Sequence, residues 1–270
     1  MSKWRIAFLV VPCGLFAACV GGTVEISADG GSDAAATVDA ASDVTQVVDS
    51  SPDTQPVSLF CLTKPGAILC DDFEDTTWDP WTDPPFAQQA IVNRVRSPDG
   101  ALRGQSLHVA RGPQSPGPVV AYVEKSGIPV RSLSYEFDIY PNPFQGAPEI
   151  LEIAYSTSFN LFLIHQNGSF VLSEEPTDGN SFMTTNFSLK LAFGQWNHLE
   201  LIVRMPQDPN TGSTVVLMVN GKIDTKSLSK DSAKRFTLAN ATETVRLGLP
   251  FGPEGVPWDA YYDNVAITPK

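Results

Sequence analysis

Two glutamates three residues apart are the first place to look for chemistry in this chain. Glu149 and Glu152 lie in the run Glu149-Ile150-Leu151-Glu152-Ile153-Ala154-Tyr155, whose branched and aromatic residues favour a strand. Paired carboxylates cleave a glycosidic bond when they flank it, one donating a proton and the other attacking or activating water. On a regular strand, residues three apart project from opposite faces. The pair therefore cannot flank one bond unless a bulge slips the alternation, and catalysis by it is not expected. Other catalytic arrangements are missing: the sequence has no Gly-x-Ser-x-Gly elbow, no phosphate loop and no His-Glu-x-x-His. Of the three histidines, His108 and His165 close or lie within apolar strands, and His198 opens one as Trp196-Asn197-His198. Each reads as a packing residue, and no metal triad can be built from them. An enzyme is the less expected outcome.

The elements that would position these residues are almost all strands. Leu133, Tyr135, Phe137 and Ile139 alternate with Ser134, Glu136 and Asp138, the period-two pattern of a half-buried strand. Leu199 to Met205 repeats it. Val215, Leu217 and Val219 run into Asn220-Gly221 and then Ile223, a hairpin signal because Asn and Gly tolerate the positive φ of a type I′ turn. Ile150–Ser156 and Leu161–His165 add two strands, and Asn167-Gly168 turns the second into Phe170-Val171-Leu172. Ile91–Val95, Leu107–Ala110, Val119–Glu124 and Val245–Leu249 are further candidates. No segment carries a 3.6-residue apolar stripe. About a dozen strands with Pro and Gly between them predict an all-β fold, a two-sheet antiparallel jelly-roll sandwich.

This domain is expected to span residues 60–270, behind a signal at 1–19 and a linker at 20–59. Lys3 and Arg5 precede an apolar run from Ile6 to Ala18, the order of a secretory signal. Leu15-Phe16-Ala17-Ala18-Cys19 resembles the lipobox of bacterial lipoproteins, which implies lipidation at Cys19; an ordinary secretory signal or a short uncleaved anchor is the alternative. Val20 resembles the outer-membrane class, so the expected address is the bacterial cell envelope, with the membrane reached only through the N-terminal lipid. The linker has seven acidic residues and neither Lys nor Arg. Such a composition cannot bury enough apolar surface to offset the entropy of ordering. Its reach as a flexible tether is roughly 35 Å.

Charge and cysteines agree with that address. Thirty acidic against 18 basic residues give a net charge of −12, which argues against a nucleic-acid partner. Outside the cytoplasm Cys61 and Cys70 are expected to pair as a disulfide across Pro65-Gly66. A zinc site is the rival, disfavoured because no histidine lies nearby.

Five ordered pieces resemble the concanavalin A-like lectin/glucanase jelly rolls, and within them the laminin G-like domains of secreted bacterial proteins. They are Leu69–Asp75, Leu133–Tyr140, Gln195–Leu201, Val215–Gly221 and Tyr261–Ile267. The resemblance implies two curved antiparallel sheets, adjacent first and last strands, and often a glycan on the concave face. Glycoside hydrolases of this fold carry Glu-x-Asp-x-x-Glu or Glu-x-Asp-x-Glu on one strand. In the matching strand Leu151 stands in place of the central aspartate, and Ala154 or Tyr155 in place of the second glutamate. Related jelly rolls often hold a structural calcium between the first and last strands. That implies Asp72, Glu74 and Asp263 as Ca²⁺ ligands, with Tyr261, Asp263, Val265 and Ile267 sharing one face; otherwise Asp263 hydrogen-bonds backbone amides of a nearby loop. Sugar stacking would fall to Tyr122, Tyr140, Tyr155, Tyr262 and the loop residue Trp258, while Trp78 and Trp81 either join them or cover the core. The expected function is a tethered, non-catalytic, lectin-like module binding a glycan or envelope polysaccharide. A structural or protein-interaction domain is the alternative, and a glycan hydrolase or lyase the least expected.

Overall fold

The computed structural model describes residues 59–99, 104–111, 117–156, 159–176, 183–206, 212–229 and 241–270. Cys19 and the linker up to residue 58 lie outside them. After a single helical turn, α1 (Leu59–Leu62), the described chain is strand throughout: β1 (Leu69–Asp71), β2 (Asp83–Gln88), β3 (Ala90–Arg96), β4 (Gln105–Arg111), β5 (Val119–Pro129), β6 (Leu133–Pro141), β7 (Glu149–Tyr155), β8 (Phe159–Gln166), β9 (Ser169–Pro176), β10 (Met183–Phe187), β11 (Asn197–Arg204), β12 (Thr214–Val219), β13 (Lys222–Ser227), β14 (Thr242–Gly252) and β15 (Asp259–Pro269). They form two antiparallel sheets. One has eight strands in the order β13-β12-β11-β6-β15-β4-β3, with β1 also on β15; the other has seven, β10-β9-β8-β7-β14-β5-β2. The first and last strands are adjacent as expected, Leu69 opposite Ile267.

Alternation decides which side chains meet between the sheets. Leu133, Tyr135, Phe137 and Ile139 of β6 face Leu151 and Ile153 of β7 and Val245, Leu247 and Leu249 of β14 across one continuous core. Each such side chain, taken fully from water, contributes about 1.5–3 kcal/mol. Both predicted tight turns form with positive φ at both central residues: 52° and 77° at Asn167-Gly168, 50° and 76° at Asn220-Gly221. β2, in a Pro- and Asp-rich segment where no strand is expected, pairs only with β5 at the sheet edge. Proline is tolerated there because an edge strand has one row of N–H groups with no ladder partner. Cys61 and Cys70 are joined, Cα to Cα 5.6 Å, and tie α1 to β1.

Bulges interrupt the alternation at three strands that matter. In β15 the pairing with β6 slips between Asp263 and Ala266, where Asn264 has φ 51°. Tyr262, Val265 and Ile267 consequently face the core while Tyr261 stands outside. The expectation that Tyr261, Asp263, Val265 and Ile267 share a face is thus corrected, because the extra residue changes the phase. β14 slips between Leu249 and Gly252. β7 slips between Glu149 and Leu151, and that bulge shapes the site.

Candidate functional site

The outer face of the seven-stranded sheet carries a row of charged groups across its centre. Val119, Ala121 and Val123 of β5 lie in the core, so Tyr122 and Glu124 alternate to the outside. Val245 and Leu247 do the same for Arg246 on β14, and Leu151 and Ile153 for Glu152 on β7. Arg246 stands opposite Glu124 on one side and Glu152 on the other, so three side chains meet as cross-strand neighbours. Arg246 Nε donates to Glu124 Oε2 at 2.7 Å, and Nη1 to Glu152 Oε2 at 2.9 Å. Ser126 Oγ supports Glu124 from behind at 3.0 Å. Burial alone would lower the Arg246 pKa, but the bonds to Glu152 and Glu124 outweigh it and push it above the ordinary value. The guanidinium also lies over the Tyr122 ring, 5.2 Å from its centre, a cation–π arrangement. Phe86 also stacks with that ring, centroids 5.5 Å apart. Burial raises the Tyr122 pKa, with Arg246 opposing and Glu124 and Glu152 assisting, so the phenol keeps its proton and is a donor.

Glu149 joins this face because of the β7 bulge. Ile150 and Leu151 are consecutive, yet both are buried against the core, so the alternation slips by one residue. Glu149 then projects to the same side as Glu152, three positions on. The bulge is the condition without which the two glutamates would point apart. Burial, followed by repulsion from Glu152 and Glu175, raises the Glu149 pKa to about 8. Two carboxyl groups on one strand therefore differ in state: Glu149 carries a proton at neutral pH, while Glu152 is ion-paired with Arg246. Unequal carboxyl environments of this kind are how a site acquires separate acid and base. Glu175 on β9, hydrogen-bonded by Ser173 Oγ at 3.2 Å, completes the face.

Of the aromatic residues expected to stack on sugar, only Tyr122 belongs to this row. Tyr140 stands on the outside of the other sheet, edge-on to Trp196 at 5.7 Å and to Tyr261 at 6.1 Å. Tyr155 follows Leu151 and Ile153 into the core at 5% exposure, and Trp258 (2%) and Tyr262 (0%) are buried as well. Placing these three on an open face is corrected: each has the phase or the packing of a core residue. Trp81 covers the end of the core and donates to Asp71 Oδ2 at 2.6 Å, while the Trp78 ring carries Arg94, 4.4 Å from its centre.

The acidic residues named for calcium each serve a local bond. Asp72 accepts from Glu74 N at 3.2 Å, Glu74 from Gln105 N at 2.9 Å, and Asp263 from Asn264 N at 2.7 Å. Among the described residues no group of three or more His, Cys, Asp or Glu side chains is placed to hold a metal ion. The histidines remain dispersed. His165 is buried among Phe144, Phe170 and Phe193, and burial lowers its pKa to about 4. His198, bonded through Nδ1 to Asp138 at 2.8 Å, has a raised pKa because of that bond. Arg246 and Glu124 were not foreseen; the legible signal was a lone charge at each outward position of an otherwise apolar strand.

No protein-family model matches this chain, and no curated protein matches it. Solved structures do share its fold. An endo-β-1,4-glucuronan lyase from the fungus Trichoderma reesei superposes with a TM-score of 0.54 at 15% identity, over 76% of this chain and 96% of that one. The alginate lyase vAL-1 from Chlorella virus gives 0.54 at 13%, over 76% and 100%. The PL-14 alginate lyase from Aplysia kurodai gives 0.51 at 11%, over 70% and 91%. The expectation of a non-catalytic lectin-like module is overturned by this result, since these three structures, each matched over nine-tenths or more of its length, are polysaccharide lyases. What the likeness establishes for this chain is the architecture, a two-sheet jelly-roll sandwich.

Proposed function

We propose that this chain is a polysaccharide lyase that cleaves a uronate-containing glycan on the outer face of its seven-stranded sheet. The observation that carries this reading is Glu149, a carboxyl group that holds its proton to about pH 8 beside the Tyr122–Arg246–Glu152 row. Cleavage by elimination requires the substrate's own carboxylate to be neutralised, so that the neighbouring carbon can release a proton. A protonated carboxyl group does this by donating a hydrogen bond to the uronate. The fold supports the reading because the lyases above are built on it.

In the proposed step Glu149 donates to the uronate carboxylate and Glu152 takes the proton from C5. The released electron pair forms the C4–C5 double bond as the C4–O bond breaks. Tyr122 gives its proton to the departing oxygen, and the proton on Glu152 returns to the phenolate through solvent. Arg246 positions both partners: it holds Glu152 in place and lies against the Tyr122 ring. Glu149 being uncharged, and Glu124 and Glu152 both tied to Arg246, limits the repulsion that an anionic glycan would otherwise meet.

The test is incubation of the full chain with glucuronan, alginate and neutral β-glucans. New reducing ends are read together with the ultraviolet absorbance of the unsaturated uronate. Both signals from a uronate polymer are expected. Reducing ends without the chromophore would reassign the chemistry to hydrolysis by Glu149 and Glu152, and no cleavage of any polymer would sink the reading.

A further inference from the structure

A groove of about 510 Å³ opens at the end of the sandwich where β7 begins, within the range of small-molecule sites. One wall is the segment 143–146 between β6 and β7; the other is 254–257 between β14 and β15. Phe144, Val256 and the flanking prolines make it apolar, and the exposed side chains of Gln145 and Glu254 stand at its rim. The walls are held in place from both sides. Gly146 has φ 102°, and a Cβ there would sit 2.5 Å from Val256 Cγ2, so only glycine lets the two segments meet. Arg111 donates to the carbonyls of Pro253 and Val256 at 3.0 and 3.3 Å and pins the far wall.

Buried rings hold the Phe144 side chain from behind. Phe144 packs edge-on to Trp258 at 4.7 Å and to His165 at 5.1 Å. Apolar walls and a polar rim suit a ligand that is apolar on its ring faces and hydroxylated at its edge.

We propose that this groove is a subsite seating one sugar residue of the same chain that is cleaved at Glu149. This rests on the reading of the seven-stranded face as the cleavage site. Continuity supports it, since the segment that forms the near wall runs directly into Glu149. The sugar ring packs on Phe144, and Gln145 and Glu254 serve its hydroxyls.

The test uses the full chain carrying Tyr122→Phe, so that bound oligosaccharide is not consumed. The probes are saturated oligoglucuronates of increasing length, followed by the methyl resonances of Val256 in the groove and the Nε resonance of Arg246 on the face. For chains long enough to span both, the two signals are expected to shift on one saturable curve. Replacing both rim residues, Gln145→Ala with Glu254→Ala, is expected to weaken that binding about tenfold, as loss of one or two hydrogen bonds does, and to leave the shortest fragments unaffected. A shift at Arg246 with Val256 unmoved at every length overturns the groove and leaves the cleavage face standing. Silence at both overturns both.

Discussion

At the scale of single residues the proposed cleavage turns on one proton. Glu149 is expected to support catalysis only while protonated, so activity of the wild type should fall as pH rises through about 8. Glu149→Gln keeps a neutral hydrogen-bond donor at the same place. It should retain activity within about tenfold below that pH and lose the alkaline limb of the pH–rate profile. A variant that is dead at every pH would instead make Glu149 a proton donor to the leaving group. These residues were only partly legible in the sequence. Tyr122 was, because it alternates with Val119, Ala121 and Val123 and can only face outward. Glu149 was legible as a carboxylate but not as a partner of Glu152, since their meeting depends on a bulge that no residue type announces. Tyr155 misled for the complementary reason: an aromatic at the end of a strand looks available for sugar, but its register with Ile153 buries it.

At the scale of elements, the strands with clear alternation and both Asn-Gly turns could be read directly. Period-two alternation arises from little besides a half-buried strand, and an Asn-Gly pair between two such runs from little besides a tight turn. β2 and β10 could not be read this way, because edge strands need only one partner and tolerate polar or proline-containing sequence. The bulges in β7, β14 and β15 were equally hidden, and they set the phase of everything after them. β14 offers a sharp test. Gly248 has φ 135°, a Cβ there would lie 2.6 Å from the Ala121 carbonyl oxygen, and its own carbonyl accepts from Tyr262 Oη at 2.5 Å. Gly248→Ala is expected to cost about 1–3 kcal/mol, the scale of strain at a disallowed backbone position. Denaturant unfolding should show a lower midpoint with an unchanged slope. An unaltered midpoint would mean that β14 does not need the close approach to β5.

The molecule as a whole buries several groups in their uncharged forms, and this fixes its response to pH. Burial raises Glu243 and Glu149 to about 8 and Asp71 to about 6, and lowers His165 to about 4. The three acids bind protons in the fold that the unfolded chain has already released, so each loses stability as pH rises from its ordinary pKa to its raised one. His165 acts the other way, losing stability as pH falls below about 6.5 towards 4. Glu149 and Glu243 titrate between pH 6.5 and 8, and His198, raised by its bond to Asp138, loses its stabilising charge on the same rise, so the melting temperature should decline across that window. Glu243→Gln, which leaves Tyr135 an acceptor, should flatten part of the decline; a slope unchanged by it would place the sensitivity elsewhere. Fold class was the most legible property at this scale and activity the least. A two-sheet sandwich follows from strand pattern, whereas the proposed cleavage face is made by residues from β5, β7, β9 and β14 that are remote in sequence. The most direct test of the central claim is release of the unsaturated uronate chromophore from glucuronan and alginate by the wild type and by Tyr122→Phe. A signal is expected from the wild type on one of these polymers, with a loss of about 10²–10⁴-fold in the variant, whose melting temperature stays unchanged. A folded wild type that releases no chromophore, or a Tyr122→Phe variant that is fully active, would contradict the claim.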